Sequence, residues 1–178
     1  MVIAEQQIKN VSDSDFNQGV GAVSDPEVQA IWDLLEEVKD PEIPVLSILE
    51  LGVLRNVALL NNKAIITITP TYSGCPAMDA ISTDIRSSLA KSGYLDIQVL
   101  TVLSPAWTTD WMSEEGKEKL VKFGIAAPAL TETGSQAVCC PRCKSESTHL
   151  ISEYGSTACK AMYQCDLCQE AFCYFKAI

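Results

Sequence analysis

Val28, Ile31, Trp32, Leu35 and Val38 recur mostly at three- and four-residue steps, which predicts a helix with one buried face. Asp25 is placed to cap it, Pro26 fits the first helical position, and Glu27 suits the positive end of the dipole. Asp40-Pro41 stops it, because a residue before proline is steered out of the helical region. The period then changes. Residues 53–60 and 63–69 are rich in Val, Ile, Leu and Thr, and Asn61-Asn62 tolerates positive φ, so a hairpin is expected. Ile66 and Ile68 should face the core, with Thr67 and Thr69 opposite. A second stripe, Met78, Ile81, Ile85 and Leu89, predicts a helix over 76–91 closed by Gly93. Residues 97–103 read as a third strand ended by Ser104-Pro105. Thr108-Thr109-Asp110 caps a short helix through Trp111, and a last helix runs over 114–123 to Gly124.

The predicted order is α-β-β-α-β-α, an α/β (α+β) class with a small mixed sheet and helices packed on it. Residues 1–23 are polar and without period, which predicts a flexible lead before an α/β domain over 24–125. A linker is expected over 126–137, where small residues, Pro, Gly and Thr dilute the pattern. The module over 138–178 should then hold short strands near 148–153 and 161–164, alternating with cysteine turns. No internal repeat is evident.

The formal charge of −10 and pI near 4.5 argue against a nucleic-acid-binding surface. No apolar run approaches the roughly 20 residues of a membrane span. Residues 1–18 lack the basic start and apolar centre of a signal peptide, so the expected compartment is the cytoplasm. Cysteine usage agrees: of 8 cysteines, all but Cys75 lie from Cys139 onward, and a reducing compartment favours metal over disulfides.

Cys140-Pro141-Arg142-Cys143 and Cys165-Asp166-Leu167-Cys168 are two C-x-x-C pairs, each able to aim two sulfurs at one ion. Four thiolates around tetrahedral zinc close the site to substrate. Such a zinc is structural, and its binding free energy is largely folding free energy for a short module. Iron or an iron–sulfur cluster is the alternative, since soft thiolates serve both. His149 lies outside either knuckle and reads as a surface or packing residue. Cys139 adjoins a ligand; Cys159, within Gly155-Ser156-Thr157-Ala158-Cys159-Lys160, and Cys173 are additional thiols. Cys159 invites a redox or cluster role, with burial as a small apolar residue the favoured alternative.

Cys75 stands apart, in Thr69-Pro70-Thr71-Tyr72-Ser73-Gly74-Cys75-Pro76, at the mouth of the second long helix. Unpaired N–H groups and the helix dipole there favour thiolate. The competing reading is a small buried hydrophobe.

Asp40-Pro41-Glu42-Ile43-Pro44, then Ile48-Leu49-Glu50-Leu51-Gly52-Val53-Leu54-Arg55, then Thr69-Pro70-Thr71 ahead of Cys75-Pro76, resembles the SufT-like iron–sulfur assembly domain family. With the cysteine-rich tail added, residues 25–178 resemble the family of phenylacetyl-CoA epoxidase D subunits. The resemblance implies an accessory or maturation role, helping an oxygenase or reductase component of that system acquire its metal centre. It implies Asp40, Glu42 and Cys75 as functional loop residues, with iron or an iron–sulfur cluster held transiently. It also implies Cys140, Cys143, Cys165 and Cys168 as metal ligands. The family pattern leads one to expect an acidic residue and a near-terminal cysteine where this chain has Cys173 and Ala177. Two alternatives concern the carboxylates: Asp40 as a turn cap and Glu42 as a partner of Arg55.

Two further functions stay open: a docking component of the oxygenase complex, and an electron-transfer component with iron in the tail. A homodimer is also left open. An independent hydrolase or oxidoreductase is disfavoured, because the one histidine is in the tail and there is no Ser-His-acid set, phosphate loop or G-x-G-x-x-G.

Overall fold

The computed structural model describes residues 25–128 and 138–176. The expected lead, most of the expected linker and Ala177 lie outside them. The first helix, α1 (Pro26–Glu36), starts as the sequence predicts: the Asp25 carboxylate accepts the Glu27 N–H at 2.9 Å and Pro26 follows. Ile31 and Leu35 are fully buried on its inner face. It stops ahead of Asp40, and Val38, also buried, has left the helix: its carbonyl takes the Ile48 N–H at 3.0 Å.

The loop that follows folds back tightly. Ser47 and Glu50 cap each other, with Ser47 Oγ accepting the Glu50 N–H at 3.1 Å and Glu50 Oε2 accepting the Ser47 N–H at 2.9 Å. Leu46, Ile48, Leu51 and Val53 are all buried by this turn.

β1 (Leu54–Leu60) and β2 (Lys63–Ile68) form the expected hairpin, with Asn61 at φ 50 and Asn62 at φ 63. Positive φ at both central residues matches the twist of the flanking strands. α2 (Ala77–Lys91) crosses back, and β3 (Asp96–Thr101) pairs parallel to β2, giving the sheet order β1-β2-β3. Ala77, Ile81, Ile85 and Leu89 form the buried stripe of α2, with Met78 half-buried at its edge. Gly93, at φ +94, ends the helix: its N–H reaches Ala90 O and the Tyr94 N–H reaches Leu89 O, both at 3.1 Å.

One expectation about faces is corrected. Ile66 and Ile68 are fully buried, but Thr67 and Thr69 are buried as well. β2 is the middle strand of three, and protein covers both of its faces. The 3₁₀ turn Thr109–Trp111, capped by Thr108, leads into α3 (Glu114–Lys122), whose Ser113 cap accepts the Gly116 N–H at 2.9 Å.

The tail builds a second sheet: β4 (Ile125–Ala126), β5 (Thr148–Ser152), β6 (Lys160–Cys165) and β7 (Ala171–Phe175), in the order β4-β7-β6-β5. Two of these strands, β5 and β6, fall where the sequence places them; β4 and β7 are additional. Ala126, where the linker was expected to open, pairs with Tyr174 of β7. Ala126, Val138, Ala161, Phe172 and Tyr174 make a small core of their own beside two of the cysteines. Cys159 and Phe175 turn the other way and join the main core. Phe175 meets Trp107 edge-on, ring centroids 5.9 Å apart, and the Trp107 indole donates to Leu51 O at 3.0 Å. No helix among the described residues is long and apolar enough to cross a membrane.

Candidate functional site

Cys140, Cys143, Cys165 and Cys168 bring their sulfurs within 4.8 Å of one another, the one such group among the described residues. Cys140 and Cys168 are 3.7 Å apart and Cys143 and Cys165 3.5 Å apart. Sulfurs about 2.3 Å from a tetrahedral ion lie about 3.8 Å from each other, so the donor set fits a metal such as zinc. The two knuckles repeat one backbone design. Cys140 N–H reaches Ser145 O and Lys144 N–H reaches Cys140 O; Cys165 N–H reaches Glu170 O and Gln169 N–H reaches Cys165 O. Lys144 (φ 64) and Gln169 (φ 60) take the same left-handed turn. The C-x-x-C spacing is the part of this repeat visible in the sequence; the shared backbone hydrogen bonding is not. The N–H groups of Cys168 and Leu167, led by Cys168, pull the Cys165 thiol down to about 7 against the cost of burial. A salt bridge from Arg142 to Glu170 at 2.6 Å ties one knuckle to the other.

His149 is no part of this group: its Nδ1 lies 2.6 Å from Asp166 Oδ1 at the surface. Cys139 is exposed, and Cys173 donates towards Met162 Sδ at 3.5 Å on the ribbon sheet.

The second constellation lies between the two sheets. Asp40, Glu42, Thr71, Cys75, Thr157 and Cys159 line one narrow cleft, closed on the apolar side by residues including Val53, Ile81 and Phe175. Its free volume is about 20 Å³, room for a single water-sized occupant. The Asp40 side chain is buried, and its Oδ1 accepts the N–H groups of Glu42 and Ile43, each at 2.8 Å. The turn-cap role of Asp40 is therefore real, and burial raises its carboxyl above the usual range. Glu42 pairs with Lys160, Nζ to Oε2 3.7 Å, and not with Arg55, whose guanidinium lies 3.4 Å over the Trp111 ring. Lys160 sits at the start of β6, where a long aliphatic stem can be buried while its charge finds a carboxylate.

Cys75 sits two residues ahead of α2, closing the Tyr72–Cys75 turn with its N–H on Tyr72 O at 3.1 Å. The thiolate expectation is corrected here. Burial raises the Cys75 thiol above its ordinary range, and the nearby Cys159 and Asp40 add to that. The Ala77 N–H and the Thr71 hydroxyl bond the sulfur and offset only part. Burial and the neighbouring Cys75 and Cys159 thiols raise the Tyr72 hydroxyl above its ordinary range, against the Ala158 N–H.

Residues 28–99 match the family model described as iron–sulfur cluster assembly protein, and residues 126–176 the one described as PaaD zinc beta ribbon domain. An Escherichia coli protein named as the D subunit of a 1,2-phenylacetyl-CoA epoxidase is 48% identical over 90% of this chain and 99% of its own length. The chain belongs to the phenylacetyl-CoA epoxidase D-subunit family. An Fe–S protein maturation auxiliary factor of Porphyromonas gingivalis is 35% identical, covering 49% of this chain and 84% of that one. A solved domain of unknown function from Bacillus anthracis is 33% identical, covering 52% of this chain and 90% of that one, with a TM-score of 0.49.

In this D-subunit-family chain, Asp40, Glu42 and Cys75 share the cleft with Cys159, far along the sequence from all three. Sequence reasoning missed Thr71, Tyr72, Thr157 and Lys160. For the last two a signal existed, since they flank Cys159 in the Thr157-Ala158-Cys159-Lys160 connection.

Proposed function

We propose that this chain is a non-catalytic accessory factor of a phenylacetyl-CoA epoxidase system. In this reading it holds iron, as an ion or part of a nascent centre, on Cys75 and passes it to an oxygenase or reductase component in the cytoplasm. The observation that carries the reading is the confinement of the Cys75 thiol beside Asp40 in a cleft too small for an organic substrate. The cleft lining has no imidazole, and its candidate bases for the thiol are the Asp40 and Glu42 carboxylates. A metal ion displaces the thiol proton itself and needs no base. The α/β unit over 24–125 carries the transfer site, and the ribbon over 138–178 binds zinc structurally through its four cysteines. The match to an iron–sulfur cluster assembly family supports the first half, the ribbon match the second.

The test is co-expression of the epoxidase components with the Cys75→Ser chain. The expected result is folded, zinc-loaded accessory protein and epoxidase depleted in iron. Full iron content and activity with Cys75→Ser refute the role. Metal analysis and a visible spectrum after anaerobic purification separate structural zinc from an electron-carrying iron centre: the expected protein is colourless.

A docking role is the second reading, favoured by apolar exposure on the ribbon. Leu150, Ile151, Tyr154 and Leu167 are all exposed, and β5 is an edge strand. Loss of epoxidase binding in Leu167→Glu, with iron content intact in Cys75→Ser, favours docking alone.

A further inference from the structure

The ribbon's Cys159 is not used by the ribbon. The four metal-ligand sulfurs gather at one end of β6, at Cys165, and Cys159 immediately precedes the other end, facing the main core. There it lines the same cleft as Cys75 and Asp40. We infer that Cys159 is the second thiol of the Cys75 site, so that Cys75, Cys159 and the Asp40 carboxylate form a composite site for one thiophilic divalent metal ion. This inference rests on the transfer role proposed for Cys75 and defines its cargo as a mononuclear ion.

Three features support it. Asp40 is 6% exposed, its Oδ1 takes both loop N–H groups, and its Oδ2 accepts no hydrogen bond from the described residues. With Oδ1 engaged by the loop, Oδ2 is the oxygen left for a ligand in the cleft. Second, about 20 Å³ of free space accommodates one ion. Third, the exchange is neutral. Asp40 and Glu42 face Lys160, and an arriving dication that expels one proton from each thiol leaves the net charge of the cleft unchanged.

The looseness of the site distinguishes it from the ribbon centre. Cys75, Cys159 and Asp40 are not a preset cluster of metal donors, whereas the four ribbon sulfurs lie within 4.8 Å of one another. Two thiolates and a carboxylate that must swing together hold an ion less tightly than four preset thiolates. That ordering lets the ribbon keep its zinc while the cleft ion moves on. Thr157 Oγ1, 3.0 Å from Cys159 Sγ, keeps that thiol in place meanwhile.

The probe is cobalt(II), titrated anaerobically with a non-thiol reductant into the zinc-loaded full-length chain. The wild type is expected to take up one cobalt beyond its zinc and release two protons, with a near-ultraviolet sulfur-to-cobalt band. Cys75→Ser and Cys159→Ser should each give about half that band, one proton, and weaker binding, and the double variant no band. Cys159→Ala is the second replacement, and an unchanged zinc content of each variant establishes that the ribbon is folded. A band and proton count in both Cys159 variants equal to wild type, with Cys75→Ser reduced, overturns the role of Cys159 and leaves the Cys75 reading standing. No extra cobalt in the wild type, or Cys75→Ser equal to it, overturns both.

Discussion

Phe175 is the residue by which the ribbon sheet grips the main core, and truncating it measures that grip. It is 1% exposed, packs edge-on against Trp107 at 5.9 Å, and closes the apolar side of the Cys75 cleft. Removing a buried phenylalanine costs about 3–5 kcal/mol, of which about 0.5–1.5 belongs to the aromatic pair. With a urea slope near about 2 kcal/mol/M, Phe175→Ala should lower the unfolding midpoint by roughly 2 M. Phe123, 50% exposed, provides the contrast: Phe123→Ala should fall within about 0.5 kcal/mol of wild type. The functional consequence is read by iodoacetamide labelling under native conditions, quantified at Cys75 by mass spectrometry. About 4 kcal/mol lost from docking raises the open population by nearly three decades, so labelling of Cys75 should accelerate at least tenfold. Zinc content should stay constant, because Phe175 is no ligand. A large loss of stability with Cys75 labelled no faster than in wild type refutes the idea that the ribbon covers the thiol.

Glu50 and Asp40 predict opposite pH signatures. Burial would raise Glu50, but the Lys119 ammonium and the Ser47 N–H overcome it and hold the carboxyl below its ordinary 4.5. Its stabilising contribution is therefore present above 4.5 and lost as pH falls through the lower folded value; Glu50→Gln should flatten the acid limb of the urea midpoint. Burial instead raises Asp40 above 3.8, so stability declines as pH rises from 3.8 through the folded value, and Asp40→Asn should gain on wild type across that window. Midpoint curves that run parallel for wild type and variant refute either assignment. Chelating the zinc, worth about 10–16 kcal/mol at comparable sites, should unfold the ribbon and expose both Cys75 and Cys159 to labelling; unchanged protection of Cys75 in the zinc-free protein refutes the coupling.

Local chemistry made most of the fold legible. Asp25-Pro26, Asn61-Asn62, Gly93 and Gly124 mark element ends whose backbone demands few residue types meet, and the structure uses each to begin or end an element. The four-cysteine group was legible for the same reason, since ligand spacing is local within each knuckle. Thr67 and Thr69 were misread because alternation reports polarity, and a middle strand covered on both faces buries polar positions too. β7 was missed although Ala171–Phe175 is strongly apolar, its signal merging with the cysteine turn before it. Least legible was the cleft. Nothing near Cys75 in sequence announces Cys159 or Lys160, and the thiolate expectation failed because a helix mouth buried beside Asp40 and another thiol disfavours charge.

β6 connects these observations. Its last residue, Cys165, belongs to the four-cysteine group, and its first, Lys160, reaches Glu42 with Cys159 one residue before it. A strand rises about 3.3 Å per residue, so the 6 residues of β6 set the two sites roughly 17 Å apart on one extended backbone. Strand pairing with β5 and β7 fixes the register of that backbone, and the knuckle hydrogen bonds fix its far end. A metal held at the ribbon would thus help to set where Cys159 and Lys160 sit without approaching Cys75. The module's own core is small, so four thiolates on a zinc would add to the hold that Phe175 and Cys159 provide in the main core. A zinc held by the four cysteines would align one strand, whose near end completes the cleft around Cys75.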